Sequence, residues 1–159
     1  MPVTLTKKEI NDLLVKERAK SRTRQQQSAF MKRTLQMYNG DKGRIREKTG
    51  DPKAELPYTL EELRALVQAC LGKPCKYNSK IKLSVANIAA DHNVPLARGG
   101  TFDILNLDII SQQSNYRKGA WTGDEWQKFV KGLEKNFPPE AVEDMYRRLV
   151  LGGKWTRTL

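Results

Sequence analysis

The sequence contains very few of the nitrogen and sulfur side chains that bind transition metals. Its 159 residues include one histidine, His92, and two cysteines, Cys70 and Cys75. A structural zinc site of the usual kind needs four such ligands, so one chain cannot assemble it. A disulfide between the two cysteines would close a very short loop and would stabilise the fold little. Two cysteines fit a reducing compartment.

Long hydrophobic runs are also absent. No stretch of the sequence approaches the roughly 18 consecutive apolar residues that a transmembrane helix needs. The first residues lack the apolar segment of a secretory signal peptide. We therefore expect a cytoplasmic protein that has no membrane partner.

Acidic residues are outnumbered by basic ones. The chain has 29 Lys and Arg against 18 Asp and Glu, which gives a net charge of +11. A surplus of this size predicts a polyanionic partner, above all nucleic acid. The first 50 residues hold 13 Lys and Arg against 5 Asp and Glu. Between Lys16 and Ser28 no apolar face is present, so this segment is either a solvated helix or partly disordered.

The concentrated charge has two interpretations. Residues 1–50 form a basic, mainly helical DNA-binding arm, whose cations neutralise phosphates and release counterions. The alternative is a charged helix that is only exposed to solvent. The candidate phosphate contacts of the arm are Lys16, Arg18, Lys20, Arg22, Arg24, Lys32 and Arg33.

Several helix boundaries are predicted from local signals. A Thr followed three residues later by Glu forms a capping box at Thr6, Thr59 and Thr122, and each predicts a helix start. A further helix is expected after Pro138-Pro139. Between Asn39 and Pro57, three glycines, two prolines and many charges predict a linker.

The middle of the chain has the patterns of short strands. Alternating apolar residues predict a strand over residues 81–85, and further extended stretches are expected at 86–91 and 107–110. Ser111 is placed to cap a short helix that runs to about Gly119.

The residues best suited to activate a water molecule and to hold a cation lie around His92. It is the one side chain whose usual pKa, about 6.5, suits taking a proton from water at neutral pH. Adjacent side chains of a strand point to opposite sides. Asp91 is therefore expected to bind a hard cation, and His92 to take the proton from the water. That cation is most simply Mg²⁺, with Mn²⁺ as an alternative. Asn115 could offer a second oxygen ligand, and Lys118, one helical turn on, could neutralise a phosphate.

These residues belong to a longer ordered set. The set is Asp91-His92, Pro95-Leu96, Arg98-Gly99-Gly100, Asn106-Leu107, Asn115 and Lys118-Gly119. Over roughly residues 72–120 it resembles the motif of the HNH endonucleases, the ββα-metal or His-Me finger family, and in particular its small free-standing phage members. The resemblance implies that His92 is the general base and that Asp91 and Asn115 bind the metal. It also implies that the amide of Asn106 braces the loop that holds His92.

The chain departs from many members of that family at one point. Those members bind a structural zinc ion through two Cys-x-x-Cys pairs. Here Cys75 fits the first position, Asn78 occupies the second, and no cysteine lies beyond residue 75. We therefore expect an α+β fold, in which a ββα-metal finger without structural zinc is flanked by N- and C-terminal α-helices. The expected division is the arm at 1–50, a linker at 51–58, the nuclease core at 59–120 and helical support at 121–159.

The resulting prediction is a Mg²⁺-dependent HNH endonuclease that acts on double-stranded DNA. His92, Asn106 and Lys118 are its predicted catalytic residues, and Arg98 and Arg117 are further candidate DNA contacts. A monomer with one site would nick one strand, and a weak homodimer could cut both. Two alternatives stay open: a non-catalytic DNA-binding protein that uses the finger as a scaffold, and a nuclease that cleaves RNA.

Overall fold

The computed structural model describes residues 5–18 and 24–152. Within these residues it contains six α-helices and two small antiparallel sheets of two strands each, so the predicted α+β class is confirmed. None of the described helices is long and apolar enough to cross a membrane. The elements are α1 (Lys7–Arg18), α2 (Arg24–Thr49), α3 (Leu60–Cys70), β1 (Pro74–Cys75), β2 (Asn78–Lys82), β3 (Ile88–His92), β4 (Leu107–Ser111), α4 (Gln112–Lys118), α5 (Gly123–Asn136) and α6 (Pro139–Gly152).

The predicted helix starts are confirmed by their capping contacts. Thr59 and Thr122 each form a full capping box with the Glu three residues later, and Thr6 makes the same exchange with its Glu. Ser111 caps α4 by accepting a hydrogen bond from the backbone N–H of Ser114 at 3.1 Å. These contacts satisfy backbone donors that have no partner within the helix.

The linker predicted between Asn39 and Pro57 is wrong over residues 39–49. Helix α2 continues through this region to Thr49, and Gly50, with a φ of 71°, follows its end. A glycine in a helix costs about 1 kcal/mol, but α2 buries Phe30, Thr34, Met37 and Asp41 along one face. Burial of the apolar side chains of Phe30 and Met37 offsets the glycine cost, and the face packs against α3.

The two sheets meet α4 and the flanking helices around one core. Strands β3 and β4 pair antiparallel, from Ile88 opposite Ser111 to His92 opposite Leu107. The strand predicted at 81–85 lies earlier, at Asn78–Lys82, because residues 84–87 form a turn. Helix α4 follows β4 directly and folds back against β3. The most deeply buried side chains of this core are those of Leu63, Val67, Ile88, Ile110 and Trp126.

Candidate active site

His92 is the last residue of β3, and its side chain points towards α2. Its Nε2 lies 3.0 Å from Oδ1 of Asp41, a helix residue that is only 2% exposed. On the other carboxylate oxygen of Asp41, Oδ2, the hydroxyl of Tyr58 donates a hydrogen bond at 2.6 Å. Sequence reasoning missed both residues. The signal for Asp41 was its spacing, four residues after Met37 and seven after Thr34, on the buried face of α2.

The His92 ring is confined by its neighbours, but its Nε2 is not well aligned with the Asp41 carboxylate. The ring of Phe102 lies edge-on to it, with centroids 5.6 Å apart, and the His92 side chain is 12% exposed. Nε2 of His92 and Oδ1 of Asp41 are close together, but they are not aligned as a well-directed hydrogen bond. Neither atom makes such a bond with any other described residue. Such looseness is common in catalytic groups before substrate is bound.

Asp91 points to the opposite side of the strand, towards α4. Its Oδ2 lies 3.0 Å from Nζ of Lys118, whose side chain is fully buried. The same ammonium donates to the backbone carbonyl of His92 at 3.2 Å. Burial raises the pKa of Asp91, and the positive charge of Lys118 opposes that rise. Lys118, predicted as a phosphate contact, is thus placed on the Asp91 carboxylate and away from solvent.

The loop between His92 and β4 is closed by the Asn106 side chain. Its Oδ1 accepts from the Val94 N–H at 2.9 Å, and its Nδ2 donates to the carbonyls of Val94 at 3.1 Å and Thr101 at 2.9 Å. The same turn needs Gly100, because a Cβ there would lie 1.8 Å from the Val94 carbonyl oxygen. These are the contacts of an amide that braces the loop beside His92.

Asn115 lies half-buried on α4, one turn before Lys118 and on the same helix face. No group of three or more His, Cys, Asp or Glu within residues 5–18 and 24–152 could hold a metal ion. A Mg²⁺ ion needs only one or two protein ligands, because it keeps several of its waters. Oδ2 of Asp91 is a buried oxygen without a well-directed hydrogen bond. One carboxylate and one amide oxygen therefore fit a hard cation in their chemistry.

The predicted DNA contacts divide into two groups. Lys16 and Lys32 are exposed to solvent, whereas Arg33 donates to the Ile88 carbonyl at 2.6 Å and ties α2 to β3. Arg98 pairs with Glu125 on α5. Lys20 and Arg22 lie outside the described residues, as do the side chains of Arg18 and Arg24.

Arg117 is almost enclosed. Its side chain is 6% exposed, and its guanidinium carbon lies 4.3 Å from the centroid of the Tyr146 ring. The nearest carboxylate is that of Glu143, at 3.8 Å. Burial lowers the pKa of Arg117 below its usual value. The guanidinium therefore fastens α4 to α6 and presents little surface to a phosphate.

Cys75, at the first cysteine position of the zinc-binding relatives, is buried in a hydroxyl cluster. Its Sγ lies 3.5 Å from Oγ of Ser114 and 3.6 Å from Oγ of Ser111, and it accepts the Ser111 N–H at 3.4 Å. Burial opposes ionisation of the thiol, but these contacts outweigh it and lower the pKa of Cys75. Hydrogen bonds thus connect β1 to the start of α4 at this point.

Comparison with protein-family models, curated proteins and solved structures gives no match for this chain. A function must therefore be inferred from its own residues and their geometry. The end of β3 is the place where a lone histidine, two buried carboxylates and a buried lysine meet.

Proposed function

We propose that this protein is a metal-dependent HNH-type endonuclease that hydrolyses phosphodiester bonds in DNA. One observation carries the proposal: Asp91 and His92 leave the end of β3 on opposite sides, the first towards α4 and the second towards α2. This separation is what a nuclease needs, because one side chain must bind a cation while its neighbour takes a proton from water. The bracing amide of Asn106 supports it further.

The proposed finger consists of β3, β4 and α4. The antiparallel pair places His92 opposite Leu107, and α4 returns across the pair so that Lys118 reaches both Asp91 and the His92 carbonyl. In this scheme Lys118 is a positioning residue that keeps Asp91 charged in a buried place and fixes the end of the strand. Flanking helices α2, α3, α5 and α6 supply the core that supports the finger.

Each residue has a defined task in the proposed reaction. His92 takes the proton from the attacking water. Asp91 and Asn115 would hold a Mg²⁺ or Mn²⁺ ion, which when bound stabilises the charge on the phosphate and on the leaving oxygen. Asn106 keeps the His92 loop closed, so that the base stays at one position.

The partner in this proposal is double-stranded DNA. The net charge of +11 favours a polyanion. Exposed Lys16 and Lys32 are free to approach phosphates, in contrast to Arg33, Arg98 and Arg117, which have partners within the protein. Backbone contacts of this kind carry no base sequence.

A second candidate is a DNA-binding protein that does not cut. Two observations favour it: Lys118 already neutralises Asp91, and the described part of the chain has no three-ligand metal group. In that case the finger would serve only as a scaffold. RNA cleavage is a separate outcome, which the same experiment detects.

A nicking assay tests the proposal. Supercoiled plasmid and a labelled RNA are incubated with the full chain and Mg²⁺ or Mn²⁺, with and without EDTA. We expect metal-dependent nicking of the plasmid, reduced by about 10²- to 10⁴-fold in His92→Ala because the general base is lost. Asp103→Asn, which removes an exposed carboxylate from the same loop, should nick at the wild-type rate. Tight DNA binding without cleavage in any metal would favour the scaffold candidate instead.

A further inference from the structure

Helix α2 brings the buried carboxylate of Asp41 to 3.0 Å from the proposed base, His92. We propose that Asp41 is a positioning residue: it holds the imidazole of His92 with the hydrogen on Nε2, which leaves Nδ1 as the nitrogen that accepts the proton. The catalytic consequence rests on the proposed nuclease function, whereas the arrangement of the ring does not.

The burial of Asp41 is the first step towards this assignment. A carboxylate that is 2% exposed costs free energy unless polar groups satisfy it. Its neighbours on the buried face of α2, Phe30 and Met37, are apolar, so the helix needs no charge here for packing. Three groups surround the carboxylate: the Tyr58 hydroxyl at 2.6 Å, the His92 ring at 3.0 Å and the Arg44 guanidinium at 3.6 Å.

The contacts divide the two oxygens of Asp41 between two partners. Tyr58 donates its only hydroxyl hydrogen to Oδ2, which fixes the plane of the carboxylate. Oδ1 faces Nε2 of His92 at 3.0 Å and, at the longer distance of 3.6 Å, the guanidinium of Arg44. Burial opposes ionisation, but the contacts with His92 and Tyr58 outweigh it, and the pKa of Asp41 falls below its usual value.

The tautomer of His92 follows from this charge state. An ionised carboxylate can only accept hydrogen bonds, and a neutral imidazole carries one N–H. Nε2 lies 3.0 Å from the carboxylate oxygen, although the two atoms are not aligned as a well-directed hydrogen bond. A lone pair on Nε2 at this distance would repel the carboxylate, so the ring carries its hydrogen on Nε2. The lone pair is then on Nδ1, the nitrogen that does not contact Asp41. Phe102 packs edge-on against the ring and limits its rotation away from this position.

The assignment changes the status of the N-terminal region. Residues 24–49 contain Asp41 and also contact β3 through Arg33. They are part of the proposed active site as well as a basic surface. A version of the chain that lacks them would lose the group that orients His92.

The chain offers a direct test, because His92 is its only histidine. Long-range ¹H–¹⁵N spectra of the full labelled chain, recorded without metal at about pH 8.5, report which nitrogen of this single imidazole carries the hydrogen. We expect the Nε2–H tautomer to predominate in the wild type. A ring that carries its hydrogen mainly on Nδ1, or that exchanges evenly between the two forms, would overturn the assignment.

Two variants and a matched control extend the test. In Asp41→Asn an amide group that can donate replaces the carboxylate, so the Nε2–H fraction should fall. Tyr58→Phe should lower the Nε2–H fraction less, because the charge of Asp41 is kept. Glu47→Gln removes an exposed carboxylate from the same helix and should leave the spectrum unchanged. If Asp41→Asn does not fold, the wild-type and Tyr58→Phe spectra still decide the assignment.

The same variants connect the ring to catalysis. Single-turnover cleavage by Asp41→Asn should be about 10- to 100-fold slower, while its Kd for DNA stays within about twofold, since the change affects the chemical step and not binding. Equal rates in Asp41→Asn and the wild type would overturn the positioning role. If the wild type does not cleave at all, the nuclease proposal fails, and the spectra alone then decide whether Asp41 holds His92.

Discussion

Two buried carboxylates, Asp91 and Asp41, lie on either side of His92, and their surroundings differ. Asp91 is 7% exposed and Asp41 is 2% exposed, so both have lost nearly all contact with water. Burial raises the pKa of Asp91 even though Lys118 lies at 3.0 Å. At Asp41, contacts with His92 and Tyr58 outweigh burial and lower the pKa. The number and direction of partners, more than burial alone, decide the direction in which each pKa moves.

The difference matches the two roles that we propose. Asp41 has a partner on each oxygen, which suits a group that orients a neighbour and does not itself react. Each carboxylate has one oxygen without a well-directed hydrogen bond, Oδ1 of Asp41 and Oδ2 of Asp91. The oxygen of Asp91 faces α4, the helix that also carries Asn115, which suits a group that gains a cation. The following predictions test this contrast, beginning with the largest expected effect.

Loss of the Lys118 charge should be the most destabilising change. Lys118→Met keeps most of the length of the side chain but leaves Asp91 without its buried partner. Breaking such a pair should lower the free energy of unfolding by about 3–5 kcal/mol. Urea denaturation measures this free energy of unfolding. The control is Lys128→Met, which changes an exposed lysine on α5.

A double variant separates the pair from the general packing of Lys118. Lys118→Met combined with Asp91→Asn should be more stable than Lys118→Met alone, because no buried charge is left unpaired. Asp91→Asn could instead lower the unfolding free energy of Lys118→Met as much as it lowers that of the wild type. The two side chains would then not be coupled, and the contrast with Asp41 would lose its basis.

A smaller effect is expected at Asp41, and it should depend on pH. Its folded pKa lies below the usual value of 3.8, so ionised Asp41 stabilises the folded state above that value. This contribution is lost as the pH falls through the folded pKa. The charge-assisted contacts with Tyr58 and His92 should contribute about 1.5–3 kcal/mol at neutral pH.

The measurement is the difference in unfolding free energy between the wild type and Asp41→Asn. We expect the difference to be large above pH 3.8 and to shrink below it, as the pH falls through the lowered pKa of folded Asp41 and the wild-type carboxylate becomes neutral. Arg44 is the other charged group that faces Asp41, at 3.6 Å. A difference that grows as the pH falls below 3.8 would contradict the lowered pKa.

Local signals in the sequence were sufficient for several elements. The three Thr capping boxes and the Ser111 cap depend on residues within one helical turn, and all four are found in the fold. The extended stretches at 86–91 and 107–110 correspond to β3 and β4. The α+β class follows from these elements. The placement of Asp91 and His92 at one strand end was predictable because the two residues are adjacent in the sequence.

Contacts between distant segments were not predicted, for physical reasons. Asp41 lies between two glycines, where a carboxylate ordinarily indicates a solvated linker, and its burial depends on how α2 packs against α3. Lys118 resembled a phosphate contact because a lone lysine carries no sign of an internal partner. Arg33 and Arg117 likewise contact carbonyl and aromatic groups that only the folded chain brings near.

The most direct test of the whole account is duplex cleavage measured against Mg²⁺ concentration for the wild type, Asp91→Asn and Asp41→Asn. We predict that the wild type cuts and that Asp91→Asn needs at least about tenfold more Mg²⁺ for half its maximal rate, because a ligand is lost. Asp41→Asn should reach a lower maximal rate at an unchanged half-saturating Mg²⁺ concentration. A wild type that never cuts, or two variants that change the same parameter equally, would contradict the account.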